Sequence, residues 1–192
     1  MLKTIFRFIE KGRHMVNDDY ILIEEIQKWD FDLFIKLFNK YFKKIYSYLL
    51  LKSDGNTYVA EDVTATTFTK SFENINKFST NKNNSPFIVR LYSIAYHTFS
   101  DIQKYRDTND NKEDGPTQNN MEYTKYFQSH NQTKSILDYL DQFWTYKKDL
   151  YILKVFNNFS YDEISQIIWK RSSKCEKDFL KLNKQLEEHL KI

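Results

Sequence analysis

The chain predicts an all-α fold of two small helical domains joined by a flexible linker, the C-terminal domain being a helix-turn-helix. Three observations carry this reading. Only three Gly and two Pro occur among 192 residues, leaving few strand and turn breakers. Apolar residues recur at spacings of three and four, the repeat of one helix face. That repeat lapses over residues 107–134, where Asn, Asp, Gln and Thr surround Gly115-Pro116 and too few aliphatics remain to build a core. The chain therefore divides into an N-terminal extension, 1–29, a first helical domain, 30–106, a linker, 107–134, and a second domain, 135–192. No internal repeat points to a solenoid.

Each element has its own signal. Phe34, Leu37, Tyr41, Ile45 and Tyr48 form one amphipathic stripe, which Ser53-Asp54-Gly55-Asn56 ends. A second helix follows with Val59, Val63, Phe68 and Phe72 inward, and with Glu61 and Asp62 early in it, where acids suit the helix dipole. The stretch Ser79 to Ser85 reads as a loop, and Pro86 is suited to the first position of a third helix running to Arg106. In that helix Ile88, Leu91, Ala95, Phe99 and Ile102 make the core face, while Tyr92, Tyr96, Ser100 and Gln103 gather on another. After the linker, periodicity resumes at Ile136, Leu140 and Phe143, then at Leu150, Leu153 and Phe156. Residues 1–29 are expected to pack on the first domain as an amphipathic helix.

Composition removes several classes. A single Cys excludes an internal disulfide framework and a Cys-rich zinc site, and suits a reducing, cytoplasmic setting. The four His are scattered, no Gly-rich phosphate loop occurs, and the Cys lies on an apolar stripe, so no catalytic residue, metal or cofactor is expected. The longest apolar runs, such as Tyr48-Leu49-Leu50-Leu51, fall well short of the roughly twenty residues of a membrane span. Arg7, Glu10 and Lys11 interrupt any signal-peptide core. A net charge of +3 is too mild to announce nucleic acid by itself. Any such signal is local.

The C-terminus supplies one. Ser160-Tyr161-Asp162-Glu163 has the capping-box pattern and leads into Ile164, Ile167 and Ile168. Beyond Trp169-Lys170-Arg171, Ser172 is suited to cap a longer helix whose Cys175, Phe179, Leu182, Leu186 and Leu190 share a face. Lys174, Lys177, Lys181 and Lys184 lie roughly opposite. Taken alone, a Lys stripe opposite a Leu stripe also describes a plain solvated face. A short capped helix, a tight turn and a longer basic helix, however, make the arrangement that seats a recognition helix in a major groove. Arg171, Ser172, Ser173 and Lys174 then stand at its reading end, with Lys170, Lys177 and Lys181 suited to phosphates.

Phe159-Ser160-Tyr161-Asp162-Glu163-Ile164-Ser165 resembles the "LSYEEIA" opening of the C-terminal domain of bacterial sigma factors of the sigma-70 family. Ala60 to Phe68, reading AEDVTATTF, is similar to the "AEDVTQETF" helix of the extracytoplasmic-function group. Arg90-Leu91-Tyr92-Ser93-Ile94-Ala95-Tyr96-His97, continuing to Asp101 and Arg106, resembles that group's "WLxxIAxN…D…R" segment. The resemblance implies a protein that docks on core RNA polymerase, recognises the −35 and −10 promoter elements and helps open DNA. It implies polymerase contacts at Glu61, Asp62, Thr64 and Phe68, and −35 contacts at Lys170, Arg171, Ser172, Ser173, Lys174, Lys177 and Lys181. It further implies −10 contacts at Tyr92, Tyr96, His97, Ser100, Gln103, Lys104 and Arg106. Two aromatics beside cations suit an unpaired strand, because base stacking on an aromatic contributes roughly 1–3 kcal/mol without sequence preference. Half-buried packing is the other reading of Tyr92 and Tyr96. Partners implied are core polymerase, promoter DNA and an anti-sigma factor, with no small-molecule substrate and no membrane insertion.

Departures from the family pattern matter. Trp169 stands where Gly is common in the turn, Arg90 replaces Trp and His97 replaces Asn. Glu176 and Asp178 bring negative charge near the DNA face. Two alternatives remain at this level: a degenerate sigma-like protein that binds polymerase or a regulator without reading promoters, and a plain helix-turn-helix regulator.

Overall fold

The computed structural model describes residues 19–28, 30–79, 85–109, 131–142 and 145–190, all helical or connecting segments. The loop centre at 80–84, most of the predicted linker and residues 1–18 lie outside these.

Helix α1, at 19–27, buries Tyr20, Ile23 and Ile26. Asp19 at its start accepts from Tyr41 and pairs with Lys40 at 2.5 Å, and Gln27 Nε2 donates to the Ile75 and Phe78 carbonyls at 2.7 and 2.8 Å. This part of the extension packs on the helix that carries Lys40 and Tyr41 and on the turn that begins at Ile75, tied at both ends by polar bonds that periodicity does not reveal.

A 3-10 turn, Phe31–Leu33, leads into α2, Phe34–Lys52. Leu37, Tyr41, Ile45 and Tyr48 are buried, as their spacing predicts. The helix stops because Asp54 (φ 54°) and Gly55 (φ 84°) turn left-handed, the latter at a value that favours glycine, and Gly55 N donates to the Leu50 carbonyl at 2.9 Å. Asn56 then caps α3, Thr57–Glu73, accepting from Val59 N at 3.1 Å. Val59, Val63 and Phe68 are buried in α3. Phe72, predicted inward, is instead 39% exposed, set edge-on to Phe31 and Phe34 at 5.8 and 5.1 Å. It sits at the rim because α2 begins there and leaves it covered on one side.

A 3-10 turn, Ile75–Lys77, ends this hairpin, and α4 spans Phe87–Asn109. Pro86 lies one residue before the helix and accepts from Val89 N at 3.0 Å, acting as the cap rather than as the first helical residue. Leu91, Ala95 and Phe99 are buried as predicted, while Ile88 and Ile102 are half-buried.

The C-terminal part comprises α5, Asn131–Leu140; α6, Thr145–Tyr151, prolonged by a π-helical turn, Ile152–Phe156; α7, Tyr161–Ile168; and α8, Ser172–Leu190. Ser160 and Glu163 complete the predicted capping box, each bonding the other's backbone, at 3.2 and 2.8 Å. Ile164, Ile167 and Ile168 bury one face of α7, and Cys175, Phe179, Leu182 and Leu186 one face of α8. Helix α7 packs along α4, so the buried residues of both halves form one continuous apolar cluster.

Candidate nucleic-acid interface

The basic face of α8 stands in solvent. Lys170, Arg171, Ser173, Lys174, Lys177 and Lys181 are exposed, Ser172 is half-buried, and the first five line a shallow depression at the helix start. The Arg171 carbonyl accepts from Lys174 N and Cys175 N at 2.9 and 3.0 Å, so the cap is Arg171, one residue before the expected Ser172. The acids here differ in role. Asp178 is turned inward, taking a hydrogen bond from Lys174 at 2.9 Å and one from Tyr146 Oη at 3.1 Å. Burial acts to raise its carboxyl, but these two bonds prevail and hold it below the usual carboxylate range. Glu176 remains on the outer surface. The Lys170 ammonium lies 4.7 Å from the Tyr146 ring centroid, which fixes the approach to α8 against α6.

The turn itself rests on Trp169, which closes α7 in the left-handed region (φ 56°, ψ 49°) and is 74% exposed. Its ring lies 3.7 Å from that of His97 on α4. His97 is thereby joined to the C-terminal half.

The face of α4 predicted to present two aromatics is covered. Tyr92 is only 1% exposed, a correction to the sequence expectation. Its ring meets Tyr48 at 5.1 Å and Phe159 at 4.8 Å, and its hydroxyl accepts from Asn157 Nδ2 at 2.7 Å. Burial raises the Tyr92 phenol well above its ordinary value. Tyr96 is half-buried, and burial with the nearby Asp149 carboxylate pushes it up to about 12. The Ser100 hydroxyl donates to the Tyr96 carbonyl at 2.9 Å, a bond within α4. Gln103 and Lys104 are exposed, and the Arg106 side chain lies outside the described residues.

What covers this face is a set of contacts that the sequence does not reveal. Lys52, at the end of α2, and Asp149, on α6, form an ion pair at 2.5 Å with both side chains almost wholly buried. The Lys52 ammonium also lies 4.3 and 4.9 Å from the Tyr96 and Phe99 ring centroids. Tyr48 Oη donates to Asp149 at 3.1 Å. At the edge, Lys148 pairs with Asp54 from the first half and with Asp141 at 2.6 Å. One signal was available: Lys52 falls four residues after Tyr48, on the buried stripe of α2, where a lysine needs a partner. Nothing local marks Asp149 as that partner.

On α3, Glu61 and Asp62 are exposed and free to face another molecule. Thr64 and Phe68 are not. Thr64 is 1% exposed and donates to the Ala60 carbonyl at 2.5 Å, and Phe68 packs on Phe38 at 4.8 Å, so both serve the core. Among the described residues no group of His, Cys, Asp and Glu is arranged to hold a metal, and no helix is long and apolar enough to cross a membrane.

No protein-family model matches the chain. A curated relative, RNA polymerase sigma factor YlaC of Bacillus subtilis (strain 168), is 27% identical over 143 residues, spanning 71% of this chain and 80% of the relative. Among solved structures, CnrH in complex with the cytosolic domain of CnrY matches with a TM-score of 0.64 at 15% identity, covering 90% of this chain and 97% of that one. The latter likeness is one of fold. In sequence the chain is thus similar to an RNA polymerase sigma factor, and in its all-helical fold to CnrH.

Proposed function

We propose that the chain is an RNA polymerase sigma factor of the extracytoplasmic-function type, which docks on core polymerase, reads −35 and −10 promoter elements and helps open DNA. The observation that carries this reading is the capped α7, tight turn and basic α8, with Arg171, Ser173 and Lys174 exposed at the reading end and Lys177 exposed beyond them. A relative named as an RNA polymerase sigma factor supports it. Of the four candidate polymerase contacts, Glu61 and Asp62 have the exposure for direct contact, while Thr64 and Phe68 act by shaping α3. In the −10 set, Gln103 and Lys104 are accessible as the molecule stands; Tyr92, Tyr96 and His97 require the C-terminal half to move away.

The protein acts in the cytoplasm, where polymerase and DNA are, and carries no catalytic chemistry of its own. An anti-sigma factor is proposed as a further partner; CnrH, which shares the fold, was solved in complex with the cytosolic domain of CnrY. The test is in vitro transcription with cognate core polymerase on genomic fragments, mapping factor-dependent start sites. Defined starts with recurrent upstream elements are expected. Core binding without any start would replace this reading with a degenerate factor, and duplex binding without polymerase would replace it with a plain regulator.

A further inference from the structure

Strand-opening proteins hold an unpaired strand with cations for the phosphates and aromatic faces for the bases. Lys52, Tyr48, Tyr92 and Tyr96 make such a set, gathered from α2 and α4, but in this structure the set is already filled. The Asp149 carboxylate sits on the Lys52 ammonium at 2.5 Å, and the Phe159 ring stands edge-on to Tyr92 at 4.8 Å. The first is an oxyanion where a phosphate would sit, and the second an aromatic ring where a base would sit. We infer that the C-terminal half masks the strand-binding face of the first half by mimicry, Asp149 standing for phosphate and Phe159 for base, and that Lys52 is a strand contact exposed only when the halves part. This rests on the sigma-factor reading and adds to it a closed, latent form of the molecule.

The latch is suited to release. Burial raises the Asp149 carboxyl and lowers the Lys52 ammonium, so the pair is held against the pull of water on both charges. A phosphate brought to Lys52 replaces one anion with another and leaves Asp149 to solvent. At the rim, the side chain of Asp54 is 63% exposed and meets Lys148, which gives a handle outside the masked face.

Carbodiimide joins a touching carboxylate and amine directly, so treatment of the full chain followed by isolation of the Asp54–Lys148 amide yields a closed form. Lys148→Arg, treated identically, keeps the ion pair but forms no amide, and controls for modification elsewhere. Two readouts are compared: binding of a fluorescein-labelled single-stranded DNA by anisotropy, and factor-dependent transcription with core polymerase. The linked form is expected to bind the strand at least tenfold more weakly than the treated Lys148→Arg protein and to start transcription correspondingly less. Asp54→Asn, which removes one cross-half ion pair and keeps the left-handed turn, is expected to bind the strand two- to threefold more tightly than the parent.

Equal strand binding by linked and unlinked forms overturns the masking. So does failure of every form to bind the strand, because there is then no face to mask. If the unlinked protein binds the strand and the linked one does not, yet neither starts transcription, the masking stands and the sigma-factor reading falls.

Discussion

Trp169 shows how a single residue couples the two halves. A left-handed backbone costs a residue bearing a β-carbon roughly 1–2 kcal/mol, and glycine avoids that cost, which explains the common Gly at this turn in the family. The indole offsets part of it by stacking on His97 at 3.7 Å, an aromatic contact of roughly 0.5–1.5 kcal/mol. The His97 Nε2 is buried without a hydrogen-bond partner. Burial pulls its pKa below the ordinary 6.5, and Lys52 and Lys104 act in the same direction against Asp101 and the Ile167 carbonyl. A lowered histidine pKa means that the unfolded or opened chain binds the proton more readily. The contribution to closure is therefore complete above 6.5, and is lost as pH falls from 6.5 through the lowered value. Melting temperature is expected to drop more steeply for the parent than for His97→Gln between about pH 7.5 and pH 5.5. Parallel curves for the two proteins would remove His97 from this role.

At the scale of elements, the proposed function has α8 divide its cations between reading and holding. Arg171 opens the helix and suits a base edge, so Arg171→Ala is expected to weaken −35 duplex binding by about 1–3 kcal/mol and to relax base preference at one position. Lys177 stands about one and a half turns along on the exposed face and suits a phosphate; Lys177→Ala is expected to weaken all duplexes alike and to lower the salt slope of binding by about one. Duplex titrations at several salt concentrations separate the two, and identical behaviour of both variants would contradict this division. Helices α2, α7 and α8 were legible in the sequence because each has one apolar stripe with its own cap or break. Helix α4 was legible as a helix but not as a surface: periodicity finds its second, aromatic face and cannot say what lies on it. Thr64 and Phe68 entered the candidate set through motif similarity. Helical arithmetic argues otherwise, since 60, 64, 67 and 68 lie close together on one side of α3, the buried one.

For the molecule as a whole, the polar stretch at 107–134 predicts two helical units, but the packing of α7 along α4 into one apolar cluster was not readable from it. That union depends on Lys52 meeting Asp149 across 97 residues of sequence, a separation at which no local pattern speaks. The pair makes a prediction about cooperativity. Removing one member of a buried ion pair leaves an uncompensated charge and costs roughly 3–5 kcal/mol, whereas replacing both by apolar residues of similar size is often neutral or stabilising by about 1–4 kcal/mol. Here the orphaned ion has a way out, because separating α4 from α7 returns it to water. Asp149→Leu alone is thus expected to part the halves, so that tryptophan fluorescence and far-ultraviolet dichroism report different denaturation midpoints. The double variant Lys52→Met, Asp149→Leu keeps the interface dry without a charge, and is expected to unfold in one transition by both probes, at or above the midpoint of the parent. If Asp149→Leu still unfolds as a single unit, the ion pair does not govern the union, and the apolar contacts of α7 on α4 suffice to hold the halves together.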